Sequence, residues 1–517
     1  MTEYKIKPVE EMSVEELIGQ VIMVGLPGLS LDSHYAEFIK EYKIGNYILF
    51  ARNYRDTKQM KAFMSELYSY TAKETGSFPL VSIDQEGGMV VRLFKDVTFP
   101  ASPLTTAATT VPNAPYETGA IIGRDMLKMG INFNLAPCLE INEGLSNPLI
   151  NIRGYGATKE AVLKHATAFV RGVQSSGALS CIKHFPGAGS STKDSHLELP
   201  IIEDPKEQLL NYNMYPFVHL LESDALMTSH CLYKSFDSLP STLSRVLLTE
   251  VLRDSVGFEG LIVSDGMEMK AIADHYGIGQ GCVMALSAGC DILLLCHEYT
   301  EQKEAFECVI KAVEKGELSV ESLREKVSRI NKAKEKLIKG LSLYFTDDDY
   351  VVQKDEHALM QSIVDNSYTH IKGVKPHVAP DTLILTAGAL VSSIVEDEFD
   401  ERNLTKALRN AFPDNDVIEF TKDKGFTADI LEKAKNYGNI LIYSYDAYKD
   451  EVQKETINGL LKTDKEVCVV SIKGPIDRSC FEGLENYSCL YEYTPNSIRA
   501  AVKQLKGEID LCGRLPE

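Results

Sequence analysis

The sequence predicts an α/β protein in which a (β/α)8 TIM-like barrel is followed by a smaller, doubly wound α/β sandwich domain. Three observations lead to this fold class. The N-terminal part contains eight short apolar runs separated by amphipathic helical segments, a pattern typical of parallel strands covered by helices. A chain of 517 residues is too long for a single hydrophobic core. A second alternation of strands and helices begins near residue 376.

The predicted barrel strands are short and continuously apolar, as expected of strands that are buried on both faces. They cover residues 21–25, 47–50, 80–83, 133–136, 179–182, 225–228, 261–263 and 291–295. Between them apolar residues recur every three or four positions, for example at 57–71, 116–129, 159–175 and 206–221, which indicates helices. A closed barrel accommodates this pattern within about 300 residues, although an open doubly wound sheet would give the same periodicity.

Charged, helix-prone segments at 301–315 and 319–339 close the first unit. We therefore expect a catalytic domain at 1–340, a linker at 341–375 and a C-terminal domain at 376–517. The strands predicted for the C-terminal domain are 382–386, 417–420, 440–444, 467–472 and 489–493. No GxGxxG segment marks this domain as a nucleotide site.

The composition excludes several classes of partner. An apolar content of 44% and a charged content of 25% are ordinary for a soluble globular protein. A formal charge of −20 without any basic block argues against nucleic acid and anionic membranes as partners. No run is long enough for a membrane span, and the N-terminus lacks the apolar core of a secretion signal. Eleven cysteines without CxxC spacing are typical of reduced thiols, so we expect a cytoplasmic location and leave the oligomeric state open.

Charged residues and imidazoles follow the carboxyl ends of the predicted strands, which is where (β/α)8 barrels carry their active sites. The strands themselves are apolar, so the polar groups are concentrated at one edge. The candidate residues at these strand ends and in the loops after them are Asp84, Arg92, Glu140, Arg153, Lys183, His184, Asp194, His196, His230 and Asp265.

Two of these positions suggest a reaction. Asp265 leaves a buried strand, which suits a carboxylate nucleophile that stays ionised beside cations such as Lys183 or Arg153. Asp194 can accept a hydrogen bond from one ring nitrogen of His196 and leave the other free to transfer a proton. A carboxylate nucleophile with a separate proton donor is the arrangement of retaining glycoside hydrolysis. The other charged groups suit a polyhydroxylated ligand.

A metal-dependent hydrolase on the same barrel stays an alternative. Its ligands would be His184, His196, His230 and Asp265. The first predicted strand offers no HxH pair, so the sequence predicts neither a metal site nor another cofactor.

Several segments resemble glycoside hydrolase family 3, and within it the β-N-acetylglucosaminidase branch. They are IDQEGG at 83–88 followed by Arg92, NIRGYG at 151–156, KHFPGAG at 183–189, DSHLELP at 194–200, PSTLS at 240–244 and GFEGLIVSDGMEM at 257–269. They occur in the family's order, and KHFPG followed by DSH is a specific combination. The terminal CGRLP at 512–516 resembles the last strand of the family's sandwich domain.

The resemblance implies a retaining exo-β-N-acetylglucosaminidase that forms a covalent glycosyl-aspartate. It releases N-acetylglucosamine from cell-wall-derived substrates of the muropeptide or chitooligosaccharide kind, as in peptidoglycan recycling, and needs no cofactor. Asp265 is the implied nucleophile, and Asp194 with His196 is the implied general acid/base. The residues implied to hold the sugar ring are Asp84, Arg92, Arg153, Lys183 and His184.

Three positions depart from the family pattern: Ala188 replaces the usual histidine of PGHG, Met89 an arginine, and Gly266 the second aspartate of SDD. They leave open a catalytically weakened sugar-binding protein. A histidine acid/base carries no negative charge to repel phosphate, so an N-acetylglucosaminide phosphorylase is a second alternative. A β-glucosidase of the same family is a third.

Overall fold

Eight parallel strands close into a barrel in the N-terminal part of the chain, and a six-stranded sheet follows. This computed structural model describes residues 6–187, 191, 195, 197–340, 344, 353–388, 403–420 and 427–516. The predicted fold class is confirmed. The barrel strands are β1 (Ile22–Gly25), β2 (Asn46–Leu49), β3 (Leu80–Ile83), β4 (Phe133–Asn134), β5 (Leu179–Phe185), β7 (Ala225–Thr228), β9 (Leu261–Gly266) and β10 (Ile292–Leu295).

The order around the barrel is β1, β10, β9, β7, β5, β4, β3, β2, so every predicted strand has a neighbour on each side. A separate two-stranded pair, β6 (Ile201–Ile202) and β8 (Leu232–Tyr233), lies outside the barrel. The strand residues are almost all buried, which explains why each strand reads as one apolar run. Two strands run further than predicted, since β5 and β9 continue to Phe185 and Gly266 and so include the polar residues at their ends.

Helices connect and cover the strands. In this first part of the chain they are α1 (Val14–Val21), α2 (Ser33–Tyr42), α3 (Thr57–Thr75), α4 (Pro103–Ala108), α5 (Ala114–Lys128), α6 (Lys159–Ser175), α7 (Lys206–Gln208), α8 (Tyr215–His219), α9 (Lys270–Tyr276), α10 (Ile278–Ala288), α11 (Tyr299–Glu314) and α12 (Val320–Lys339). None of the helices within the described ranges is long and apolar enough to cross a membrane.

The helix predicted at 206–221 is instead broken into three pieces. A π-helical segment at Leu209–Asn213 separates α7 from α8. Pro216 has no N–H to continue the α-helical ladder, and its ring would clash with the preceding turn. Apolar periodicity alone does not reveal this interruption, because the apolar positions still repeat every three or four residues.

The second sheet has the order β11 (Thr369–Lys372), β16 (Asn486–Cys489), β15 (Glu466–Ser471), β14 (Asn439–Ser444), β12 (Thr382–Ala387), β13 (Val417–Phe420). Among the described strands of this sheet, only the β11–β16 pair is antiparallel. Alternate residues of β12, β14 and β15 belong to two different apolar clusters, so both faces of the sheet are covered, as in a sandwich. Its helices are α13 (Lys354–Asp365), α14 (Leu404–Ala411), α15 (Thr427–Ala434), α16 (Glu451–Leu461) and α17 (Pro495–Leu505).

Two details of the C-terminal prediction are wrong. The strand expected at 489–493 lies earlier, at Asn486–Cys489, and the 512–516 segment forms no strand. The tail instead makes single backbone hydrogen bonds to several elements, for example from the Arg514 N–H to the Ala108 carbonyl at 2.9 Å. The range 341–375, expected as a linker, contains α13 and β11, and β11 pairs within the second sheet. We therefore propose that the C-terminal domain begins before Lys354.

The barrel and the second sheet share an apolar cluster. Met89 and Ile152, from loops after β3 and β4, are buried in it together with Tyr445 and Tyr491 of the second domain. The buried Glu492 carboxylate adds polar links, accepting hydrogen bonds from the Ser102 backbone at 2.7 Å and the Thr105 hydroxyl at 2.8 Å. The second domain thus packs directly behind loops that follow the barrel strands.

Candidate active site

A cavity of about 620 Å³ opens at the carboxyl ends of the barrel strands. Six of the eight predicted site residues line it: Asp84, Arg92, Arg153, Lys183, His184 and Asp265. The other two, Asp194 and His196, lie outside the described residues, and so does Ala188. The structure therefore brings the expected nucleophile and the expected ring-binding residues to one cavity, although they come from separate loops and strands.

Lys183 is the centre of an ionic network in this cavity. Its Nζ lies 2.6 Å from Asp84 Oδ1 and 2.8 Å from Glu86 Oε1. Glu86 also receives two hydrogen bonds from Arg153, at 2.9 Å from Nε and 2.8 Å from Nη2. Arg92 Nη2 lies 3.8 Å from the second oxygen of Asp84. Opposite charges thus alternate along one wall, each group fixing the orientation of the next.

The network keeps its buried members ionised. Burial alone would raise the pKa of the Glu86 carboxyl, but Arg153 and Lys183 outweigh it and hold that pKa well below its usual range. Burial would likewise lower the pKa of the Lys183 ammonium, yet Asp84 and Glu86 raise it above its usual value. The cavity wall therefore presents fixed charges across the physiological pH range, suited to hold sugar hydroxyl groups in one orientation.

His184 is oriented by Glu140. Its Nδ1 lies 2.7 Å from Glu140 Oε1, and its backbone N–H donates to the same oxygen at 2.9 Å. A carboxylate at Nδ1 favours the proton on that nitrogen and leaves Nε2 for another partner. Because His184 lines the cavity, Nε2 is the nitrogen available to a ligand.

Asp265 stands at the end of β9, one strand beyond the neighbour of β5. Backbones two strands apart in a sheet are about 10 Å apart, which leaves room for a sugar ring between Asp265 and the Lys183 wall. The Gly266 N–H donates to Asp265 Oδ1 at 2.8 Å. This bond holds the carboxylate in a defined rotamer.

The metal alternative is not supported by the histidine geometry. Both ring nitrogens of the buried His230 are engaged, Nδ1 with Thr242 Oγ1 at 2.7 Å and Nε2 with the Gly266 carbonyl at 2.9 Å. His230 therefore orders the backbone beside Asp265 and has no nitrogen left for an ion.

One other group among the described residues has metal-ligand geometry: Cys138, Glu140 and His184 offer atoms within 4.8 Å of one another. The donor set fits a metal poorly. Burial raises the pKa of the Cys138 thiol well above its ordinary value, so this residue is a thiol and not a thiolate, and it donates to Glu86 at 3.6 Å. Glu140 Oε1 is already hydrogen-bonded to His184 Nδ1.

Two acidic residues of the site, Glu86 and Glu268, were missed as functional by sequence reasoning. Glu86 follows a predicted strand, as the candidate Glu140 does, but nothing in the sequence says which side chain each one meets. Glu268 lies in a short turn after β9, within the 257–269 segment, where nothing in the sequence distinguishes it from its neighbours. It lines the cavity and is partly buried, with Oε1 accepting from the Cys296 N–H at 2.7 Å.

Glu268→Gln is expected to change how the stability of the fold depends on pH. Burial raises the pKa of the Glu268 carboxyl to about 7 from an ordinary 4.5. Between these values the folded state keeps a proton that the unfolded state has lost, so the free energy of unfolding falls as pH rises. The loss can reach about 3 kcal/mol. Glutamine cannot ionise, so the free energy of unfolding of the variant should rise relative to that of wild type between pH 5 and pH 8.

Urea unfolding at several pH values checks this expectation. Glu298→Gln, a change at an exposed position, is the control and should follow the wild-type profile. Parallel profiles for wild type and Glu268→Gln would contradict it.

The contacts of Met89 and Gly266 explain two of the three departures from the family pattern. Met89 is 1% exposed and packs in the apolar cluster shared with the second domain, where an arginine would bury a charge. At Gly266, an added Cβ would lie 3.4 Å from Glu268 Oε2. A second aspartate there would place two carboxyl groups side by side, so Glu268 and Gly266 are a matched combination.

Comparison with known proteins agrees with this architecture. Residues 13–333 match the glycosyl hydrolase family 3 N-terminal domain. A solved glycoside hydrolase family 3 β-N-acetylglucosaminidase from Paenibacillus sp. strain FPU-7 is 31% identical, covers 98% of both chains and superposes with a TM-score of 0.89.

Curated relatives match a little over half of this chain. β-Hexosaminidase A of Pseudoalteromonas piscicida is 30% identical over 334 residues, which are 60% of this chain and 56% of the relative. A β-hexosaminidase of Alkalilimnicola ehrlichii is 32% identical over 284 residues, 53% of this chain and 80% of the relative. The family match covers more than half of the chain, and the solved relative extends over both sheets. The chain therefore belongs to glycosyl hydrolase family 3.

Proposed function

We propose that this protein is a retaining exo-β-N-acetylglucosaminidase. The observation that carries the proposal is one cavity lined by Asp265 together with the Lys183 network and His184. A carboxylate facing a wall of fixed hydrogen-bonding charges is the arrangement that nucleophilic attack on a held sugar requires. The relatives named β-hexosaminidase and β-N-acetylglucosaminidase support an N-acetylhexosaminide as the substrate class.

In the first step, Asp265 attacks the anomeric carbon while the leaving oxygen takes a proton from the imidazole of His196, which Asp194 orients. The products are a glycosyl-Asp265 ester and the free aglycone. In the second step, His196 removes a proton from water as the water attacks the same carbon. This step breaks the ester and regenerates both groups, so the two displacements retain the β configuration.

The ring-binding roles follow from the network. Asp84, held by Lys183 and near Arg92, is positioned to accept hydrogen bonds from hydroxyl groups of the ring. Lys183, Arg153 and His184 can donate to them. Because such bonds strengthen as charge develops on the ring, they contribute to transition-state stabilisation as well as to binding.

We further propose that the natural substrates are cell-wall fragments with a terminal N-acetylglucosamine, of the muropeptide or chitooligosaccharide kind, and that the enzyme acts in the cytoplasm during peptidoglycan recycling. Comparing turnover of N-acetylglucosaminyl-1,6-anhydro-muropeptides with turnover of chitobiose separates the two substrate kinds. Cell fractionation tests the location.

The activity is tested with a panel of aryl β-glycosides. We expect the p-nitrophenyl N-acetyl-β-glucosaminide to be hydrolysed at least about tenfold faster in kcat/KM than the glucoside, with no effect of chelator. A faster glucoside reaction would indicate a β-glucosidase. Formation of sugar 1-phosphate in phosphate buffer would indicate a phosphorylase, and tight sugar binding without turnover would indicate a binding protein.

A further inference from the structure

The turn that carries Arg153 is held from behind by the second domain. Residues Asn151–Arg153 form a single 3-10 turn in which Arg153 points to Glu86 in the cavity. The Asn151 amide points the other way and donates to Asp446 Oδ1 of the second domain at 3.5 Å. Ile152, between them, is buried in the apolar cluster shared by the two domains.

The contacts around Asn151 leave its side chain little freedom, so a displacement of Asp446 would also displace Asn151. Its φ of 40° lies in the left-handed region, which asparagine tolerates better than most residues. The backbone carbonyl of Asn151 accepts a hydrogen bond from the Asn142 side chain at 3.1 Å. A Cβ added to Gly474 would lie only 2.4 Å from Asn151 Oδ1. The backbone of the second domain at Gly474 therefore packs directly against this amide.

Asp446 is in turn fixed by Lys473. The two groups form an ion pair at 2.7 Å, with each side chain 4% exposed. A buried pair of this kind gives little net stability, because the cost of removing both charges from water offsets their attraction. Its geometric effect is larger: Lys473 holds the Asp446 carboxylate against the Asn151 amide.

We propose that the Lys473–Asp446 pair of the C-terminal domain is a positioning element for the active site, setting the Arg153 guanidinium in the cavity through Asn151. The proposal rests on the proposed function only in taking Arg153 as a group that binds substrate. It gives the C-terminal domain a role in substrate affinity although its residues stand behind the cavity wall.

The first test is Lys473→Met in the full chain, with Asp446→Asn/Lys473→Met as a second variant that leaves no unpaired buried charge. We expect KM for the aryl N-acetylglucosaminide to rise about tenfold while kcat changes less than about threefold, since a small displacement of a binding group weakens binding strongly. The control is Lys503→Met, which removes a more exposed ion pair of comparable length, 2.6 Å to Asp365, inside the same domain.

A second test separates positioning from general destabilisation. Asn151→Asp keeps the size and the tolerance for positive φ but sets a carboxylate against Asp446, so KM should again rise. In an Arg153→Ala background, Asn151→Asp should raise KM by less than about a further twofold, because the guanidinium that Asn151 positions is absent. Full additivity of the two effects, or an equal rise of KM in Lys503→Met, would overturn the proposal.

Hydrogen exchange gives a readout that needs no substrate. Backbone amides in the 142–156 segment should exchange faster in Lys473→Met and in the double variant than in wild type or Lys503→Met. If the wild type turns over no glycoside, the proposed function fails while this comparison still decides the positioning role. Unchanged exchange in this segment would reject that role.

Discussion

Asp265→Asn is expected to lower kcat/KM for an aryl N-acetyl-β-glucosaminide by about 10⁴-fold or more, since under the proposed mechanism the variant lacks the nucleophile that forms the covalent intermediate. The amide keeps the shape of the side chain and can still accept from the Gly266 N–H, so the fold should be undisturbed. Steady-state kinetics and thermal unfolding on the same samples check both parts of the expectation.

The control is Asp274→Asn, the same change at an exposed position on α9, which should leave kcat/KM within about twofold of wild type. A second variant, Asp265→Gly, opens space for azide beside the anomeric carbon. Recovery of turnover with formation of the α-glycosyl azide would identify Asp265 as the group that bonds to the sugar. Turnover by Asp265→Asn at the wild-type rate would refute the mechanism.

Glu86→Gln should have the largest effect on the fold. The carboxylate lies between Lys183 and Arg153, so its removal leaves two buried cations facing a neutral amide. Breaking a buried pair from one side costs about 3–5 kcal/mol of unfolding free energy. We expect a loss of that order in urea unfolding, with a rise in KM of at least about tenfold because Arg153 and Lys183 lose their fixed positions.

The pH dependence distinguishes this effect from a loss of packing. Because the neighbouring cations lower the pKa of Glu86, its stabilising contribution is complete above the unfolded value of about 4.5 and declines progressively as the pH falls below that value. The difference between wild type and Glu86→Gln should therefore be constant from pH 5 to pH 8. The matched control is Glu203→Gln, which removes an exposed ion pair with Lys234 and should lower the free energy of unfolding far less than Glu86→Gln does.

A large part of the barrel could be read from local pattern. All eight strands were predicted within a few residues, because a strand buried on both faces must be apolar throughout. The failures occurred where local pattern carries no information. The 206–221 segment keeps helical periodicity through a π-helical interruption, and β11 lies in a range that resembled a linker. Its partner β16 is more than a hundred residues away, so no nearby residue signals the pairing.

The candidate site divides in the same way. Asp84, Lys183, His184 and Asp265 could be chosen from sequence because each lies at or just beyond the end of an apolar strand segment, and parallel strands in a barrel end at a common edge. The pairing of acids with cations could not be predicted, and Glu86 was therefore not among the candidates. Lys183 meets an acid 99 positions earlier in the chain, and Arg153 meets one 67 positions earlier. Only the closed barrel sets these distances.

The sequence by itself determined the fold class, the edge of the barrel that carries the chemistry, and the residue types available there, because apolar periodicity and strand-end polarity are local properties of a chain. The tertiary structure decided which carboxylate fixes which cation, placed Glu268 in the wall of the cavity, and brought Asp446 to Asn151 across 295 positions. These contacts depend on how the barrel closes and how the second domain packs against it, because the energy of a contact depends on distance in space and not on separation along the chain.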